Sequence, residues 1–122
     1  MTNQITLTLK AFDFNGKVED AVLVGGNIIS KSAFEENPHI LEVIGTNCIV
    51  GPGCRISPSA YIKDGVSLGT DVFVKDLVFI GRGVVVGDFA RLGQRAWVQA
   101  GAKVARGEIL SKGETLYAKA KE

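Results

Sequence analysis

The sequence predicts an all-β fold, a left-handed parallel β-helix of about four triangular coils with an N-terminal β cap, and three observations predict it. The first is an aliphatic column at a strict spacing of six. Stepping from Ile44 gives Ile44, Val50, Ile56, Ile62, Leu68, Val74, Ile80, Val86, Leu92, Val98, Val104, Leu110 and Leu116, with nothing inserted or deleted. Ile, Leu and Val make up only about a quarter of the chain, so composition does not account for the column. The second is a column of small or β-branched residues two positions earlier: Cys48, Cys54, Ala60, Val66, Val72, Val78, Val84, Ala90, Ala96 and Ala102. Residues i and i−2 share one face of a strand, so both columns point inward. Glu42, Glu108 and Glu114 stand in that second column at the frayed ends of the repeat. The third is glycine: 12 of the 15 lie one residue or three residues after an aliphatic position, where the backbone must turn a corner.

Six residues of short strand plus corner close a triangle every three units. Successive turns stack with strands about 4.8 Å apart, which gives a solenoid roughly 20 Å tall. Ahead of it, Ile5, Leu7 and Leu9 alternate with polar residues, Phe12 and Phe14 follow, and Asn15-Gly16 supplies a turn. That pattern reads as a strand and hairpin. Val22-Leu23-Val24-Gly25 copies the repeat unit out of register with Ile44, and Phe12, Val18 and Val24 are six apart, which admits one irregular extra coil. Ser32 to Asn37 suits a single helical turn before Pro38. Residues 1–43 are therefore read as a cap on the open end of the prism, and residues 44–122 as the repeat domain with a short tail.

Composition excludes several function classes. Fourteen basic and 13 acidic side chains give a net charge of +1, with no basic footprint for nucleic acid or an acidic membrane. The longest apolar runs, such as Val84-Val85-Val86, are too short to span a bilayer, and the N-terminus lacks a signal-peptide pattern, so the expected location is the cytoplasm. Cys48 and Cys54 have no zinc or redox spacing and, with one histidine in the chain, no metal site is expected; the two thiols read as small core residues.

The residue before each inward aliphatic points out. Sorted by face, one outward column holds Val43, Tyr61, Phe79, Trp97 and Thr115, eighteen apart, so Tyr61, Phe79 and Trp97 form an aromatic ladder. The other columns, Ile49, Ser67, Val85, Lys103 and Arg55, Phe73, Arg91, Ile109, are mixed. A ladder left in water would be a large apolar patch. It has three readings: a subunit interface, a face covered by the N-terminal strands, or a ligand groove. The expectation is an interface formed by Tyr61, Phe79 and Trp97.

The run Ile44-Gly45-x4-Val50-Gly51, with Leu68-Gly69 and Ile80-Gly81-x4-Val86-Gly87-x4-Leu92-Gly93, resembles the hexapeptide-repeat superfamily over about 73 residues. That superfamily includes acyltransferases, γ-class carbonic anhydrases and non-catalytic members. The resemblance implies three-fold packing of prisms, hence a homotrimer. Its acyltransferases use a histidine within the coils as general base, and none occurs after residue 39 here. His39 itself falls over the corner of Ser57, Lys75 and Gly93 when the eighteen-residue spacing is extended upward. The inserted loop, the glycine-x-proline-alanine ending and the C-terminal packing helix of many members are missing as well. One histidine per chain does not supply the zinc site of the carbonic anhydrases, and Thr115 alone does not make an ice-binding rank. Asp64, Asp71, Asp76 and Asp88 read as corner residues, and Lys63, Lys75, Arg82 and Arg106 as solvated cations, although such cations suit a nucleotide or CoA phosphate. The sequence thus predicts a non-catalytic homotrimeric module that needs no cofactor and binds a partner protein or small ligand. The alternative is a minimal acyl-CoA-dependent O- or N-acyltransferase with His39 as base.

Overall fold

The computed structural model describes residues 8–118. The chain opens with β1 (Thr8–Phe14), β2 (Lys17–Val24) and β3 (Asn27–Ser30), followed by α1 (Lys31–Glu36) and α2 (Ile40–Val43). Twelve two-residue strands follow. They are β4 (Ile49–Val50), β5 (Arg55–Ile56), β6 (Tyr61–Ile62), β7 (Ser67–Leu68), β8 (Phe73–Val74), β9 (Phe79–Ile80), β10 (Val85–Val86), β11 (Arg91–Leu92), β12 (Trp97–Val98), β13 (Lys103–Val104), β14 (Ile109–Leu110) and β15 (Thr115–Leu116). Each strand from β4 to β12 pairs in parallel with the strand eighteen residues on, giving the stacks β4-β7-β10-β13, β5-β8-β11-β14 and β6-β9-β12-β15. The fold is therefore a mostly β solenoid of stacked parallel strands, compatible with a β-helix. From Val50 to Leu110 both predicted inward columns are buried, and they form one continuous core.

The two glycine slots answer different constraints. The slot three residues after each aliphatic takes a left-handed backbone, as at Gly83 (φ 72°) and Gly101 (φ 79°), where no atom lies within 4 Å of the place a Cβ would occupy. Side chains are tolerated there at some strain: Leu77 (φ 59°) and Phe89 (φ 64°) occupy the same slot. The slot directly after the aliphatic has an ordinary φ, and what it lacks is room. A Cβ on Gly87 would lie 2.5 Å from the Arg106 amide nitrogen, and one on Gly93 would lie 2.6 Å from the Leu110 carbonyl oxygen. Both slots lie at corners as expected, but one serves rotation and the other the close approach of the next rung.

The N-terminal hairpin is as predicted. β1 and β2 pair antiparallel around Asn15 (φ 54°) and Gly16 (φ 98°), the two-residue turn that matches strand twist. Ile5 and Leu7 lie outside the described residues. The extra coil through Phe12, Val18 and Val24 does not form, because β2 is antiparallel to both β1 and β3 and Val18 is 66% exposed. The residue that tops the first face is Ile29, fully buried and paired in parallel with Val50 across an offset that is not a multiple of six. Val43 also departs from expectation. It belongs to α2, where strand alternation does not apply, and it is buried rather than outward.

A stack of parallel strands leaves unpaired amides and carbonyls at both ends. At the upper end β3 covers β4, with the Ile28 amide donating to the Cys48 carbonyl at 2.8 Å, and Ile44 bridges to Ile62 over β6. β5 has no strand above it, and side chains take that place. The Asn37 amide nitrogen donates to the Cys54 carbonyl at 2.8 Å, and its oxygen accepts the Ile56 N–H at 2.8 Å. At the lower end the pattern of the rung above shows what is missing. The Gly87 and Gly93 amides donate to the Val104 and Leu110 carbonyls at 2.8 Å. Eighteen residues on, the Ala105 and Ser111 amides donate instead to the carboxylates of Glu108 and Glu114, both at 2.8 Å. The two acids that break the small-residue column are the lower cap.

Two substitutions separate the glycine slots. Gly83→Ala adds only backbone strain and should cost about 1 kcal/mol. Gly87→Ala must push two rungs apart and should cost about 3 kcal/mol. Urea unfolding of the two variants checks the order. Removing both lower caps (Glu108→Ala with Glu114→Ala) should cost about 1 kcal/mol per cap by the same measurement.

Candidate functional site

The predicted site residues fall on two faces of the solenoid, the ladder on the third and His39 above the second. On the third face, Tyr61 pairs with Phe79 and Phe79 with Trp97, in the predicted order. The Phe79 and Trp97 rings stack with centroids 4.2 Å apart and planes 18° apart, and the Lys63 ammonium sits 5.7 Å from the Phe79 centroid. Stacking covers one face each of Phe79 and Trp97. The N-terminal strands extend the first face, not this one. Tyr61 is 57% and Trp97 50% exposed, so within the described residues nothing covers them.

The second face closes on itself. The Arg91 guanidinium lies 4.0 Å and that of Arg55 6.0 Å from the Phe73 centroid, an aromatic ring between two cations. Arg91 is fixed further by donating to the Asp71 carbonyl at 2.8 Å. Its outward column is thus already partnered within the chain down to Arg91, while Ile109 below it stays exposed.

His39 lies above this second face, over the corner that the eighteen-residue spacing indicates. With Glu36, Asn37, Arg55, Ser57 and Lys75 it lines an open cleft of about 450 Å³. Arg55 is paired with Glu36 at 3.0 Å, and the Ser57 hydroxyl donates to the Asp76 carboxylate. His39 Nε2 is 2.6 Å from the Ile56 carbonyl oxygen. A carbonyl can only accept, so Nε2 carries the proton and donates, leaving Nδ1 as the nitrogen with a lone pair. His39 thereby joins Asn37 in closing the upper edge of β5. That structural task has no signal in the sequence beyond the eighteen-residue spacing, because it depends on where a strand is absent.

Among the described residues no group of three or more His, Cys, Asp or Glu side chains is arranged to hold a metal ion. Cys48 and Cys54 are unpaired thiols in the core. Cys54 Sγ–H donates to the Gly69 carbonyl at 3.0 Å. Burial raises the pKa of both thiols, that of Cys54 up to about 12. A raised thiol pKa means that the folded chain holds its proton more tightly than the unfolded chain. This stabilising term is complete below the unfolded thiol value, about 9, and is lost as pH climbs from there toward 12. Thiol-reagent titration should therefore find both cysteines unreactive at pH 8 until denaturant is added.

No helix among the described residues is long and apolar enough to cross a membrane. No protein-family model, no curated protein and no solved structure matches this chain.

Proposed function

We propose that the chain is a left-handed hexapeptide-repeat β-helix of about four coils that assembles as a homotrimer through Tyr61, Phe79 and Trp97. In that assembly it serves as a non-catalytic module binding a protein or small ligand. The observation that carries this reading is the uncovered ladder. Of the three outward columns it holds the most aromatic side chains, and two of its three rings are half exposed or more. Its neighbour face has its one aromatic ring already flanked by two arginines. Exposed Leu77, in a strained left-handed corner beside the ladder, adds to the same apolar surface. The engagement of His39 with Ile56 supports the non-catalytic part, since the side chain has a backbone-capping task that needs no substrate.

The second reading, an acyl-CoA-dependent acyltransferase with His39 as general base, is favoured by one observation: the cleft gathers His39, Ser57 and Lys75 at a single corner. In that chemistry Nδ1 would take the proton of the acceptor hydroxyl or amine, and Nε2–H···O=C would fix the tautomer.

Light scattering tests the assembly. The wild-type chain should show three times the protomer mass, and Trp97→Arg should reduce it to the protomer. An unchanged mass for Trp97→Arg removes the ladder from the interface. A melting temperature raised by acetyl-CoA, and unraised in His39→Ala, would place the transferase reading first. The module reading expects no rise.

A further inference from the structure

We propose that the crevice between the N-terminal hairpin and the first face of the prism is a binding site for a small organic ammonium ion. The site rests on no part of the trimer reading, since no ladder residue lines it. The crevice has a volume of about 310 Å³, and its surface is mostly apolar. Phe12 and Phe14 of β1 form one wall, and Ile49 of β4 and Leu68 of β7 belong to the first face opposite. The two phenyl rings lie 4.7 Å apart at 60°; Phe14 is buried and Phe12 half-buried, so Phe12 supplies the exposed part of the aromatic wall.

Its charge is of one sign. Asp13 and Asp88 line the crevice and no basic residue does. Asp88 is half-buried, and its Oδ1 accepts the Thr70 N–H at 2.8 Å, so the carboxylate is held in place by the corner above it. Asp13, at the exposed rim, is fixed likewise by the Gly16 N–H at 2.6 Å. Neither carboxylate takes part in a salt bridge among the described residues. Arg106, one rung below Asp88, is turned over the Phe89 ring at 5.2 Å.

An apolar crevice with two fixed carboxylates selects its ligand by elimination. A neutral apolar guest would strip water from the carboxylates and return no bond. Ca²⁺ or Mg²⁺ needs six or more oxygen ligands, which an apolar wall does not supply, and two carboxylates are too few for a four-coordinate metal. A monovalent cation with an apolar body satisfies both halves of the site, placing its N–H groups on the carboxylates and its hydrocarbon against Phe12 and Ile49.

The probes are benzylammonium and its neutral isostere benzyl alcohol, titrated by NMR chemical-shift mapping into the intact chain. Benzylammonium should shift the amides of β1 and of the Gly69–Thr70 corner, and benzyl alcohol should bind at least about tenfold more weakly. Asp88→Asn keeps an oxygen for the Thr70 N–H and removes the charge. It should keep the melting temperature and lose about tenfold or more in benzylammonium affinity. Phe12→Leu, which leaves the prism untouched, should weaken binding through the aromatic wall alone. Equal binding of the alcohol, unchanged affinity in Asp88→Asn, or no binding of benzylammonium at millimolar concentration each overturns the proposal.

Discussion

Everything in this molecule depends on the obligation that backbone amides and carbonyls be paired. Between two rungs the obligation is met automatically, because each strand donates to the strand eighteen residues on and accepts from it. Within the strands of an interior rung no polar side chain is needed, and side chains enter only at corners, as where Asp88 accepts the Thr70 N–H. This is why strands of two residues suffice, although a two-residue strand has no stability alone. The whole difficulty is transferred to the two ends, and the least repetitive parts of the sequence are found there. The upper end uses a strand, an isolated bridge, an asparagine and a histidine. The lower end uses two glutamates. Charged caps also leave the lower edge a poor template for further strands.

The interior was legible because it obeys one period. A six-residue spacing of Ile, Leu and Val needs no tertiary information, and the sheet pairing follows from it by counting eighteen. The ends were only partly legible. Glu108 and Glu114 showed in the sequence as departures from a column of small residues, but their task appears only when the amides of Ala105 and Ser111 are seen to donate to them instead of to a strand below. Ile29 escaped the count because the connection through α1 and α2 breaks the six-residue register. Val43 was misplaced for the same reason: the alternation rule was applied to a residue whose backbone is helical.

The candidate sites divide in the same way. The order of the ladder was readable, since outward residues repeat with the same spacing as inward ones. Its exposure was not, because that depends on which face the hairpin extends. The arginine sandwich around Phe73 was equally hidden; Arg55 and Arg91 are ordinary surface residues in a list and become partners only when stacked above and below one ring. His39 illustrates the limit most clearly. Its corner followed from arithmetic, while the hydrogen bond that occupies Nε2 followed from the absence of a strand.

The separation between a repetitive middle and specialised ends bears on how such a chain can change length. A block of eighteen residues added between Ile62 and Glu108 would enter as one more complete turn, with every new strand pairing with the strands above and below it. Both termini would be left as they are. A block whose length is not a multiple of eighteen would rotate one cap relative to the other and bring the carboxylates of Glu108 and Glu114 under the wrong corners. Evolutionary growth and shrinkage of this architecture are thus quantised. The unit of that quantum is set by the geometry of the turn, whatever ligand or partner the surface serves.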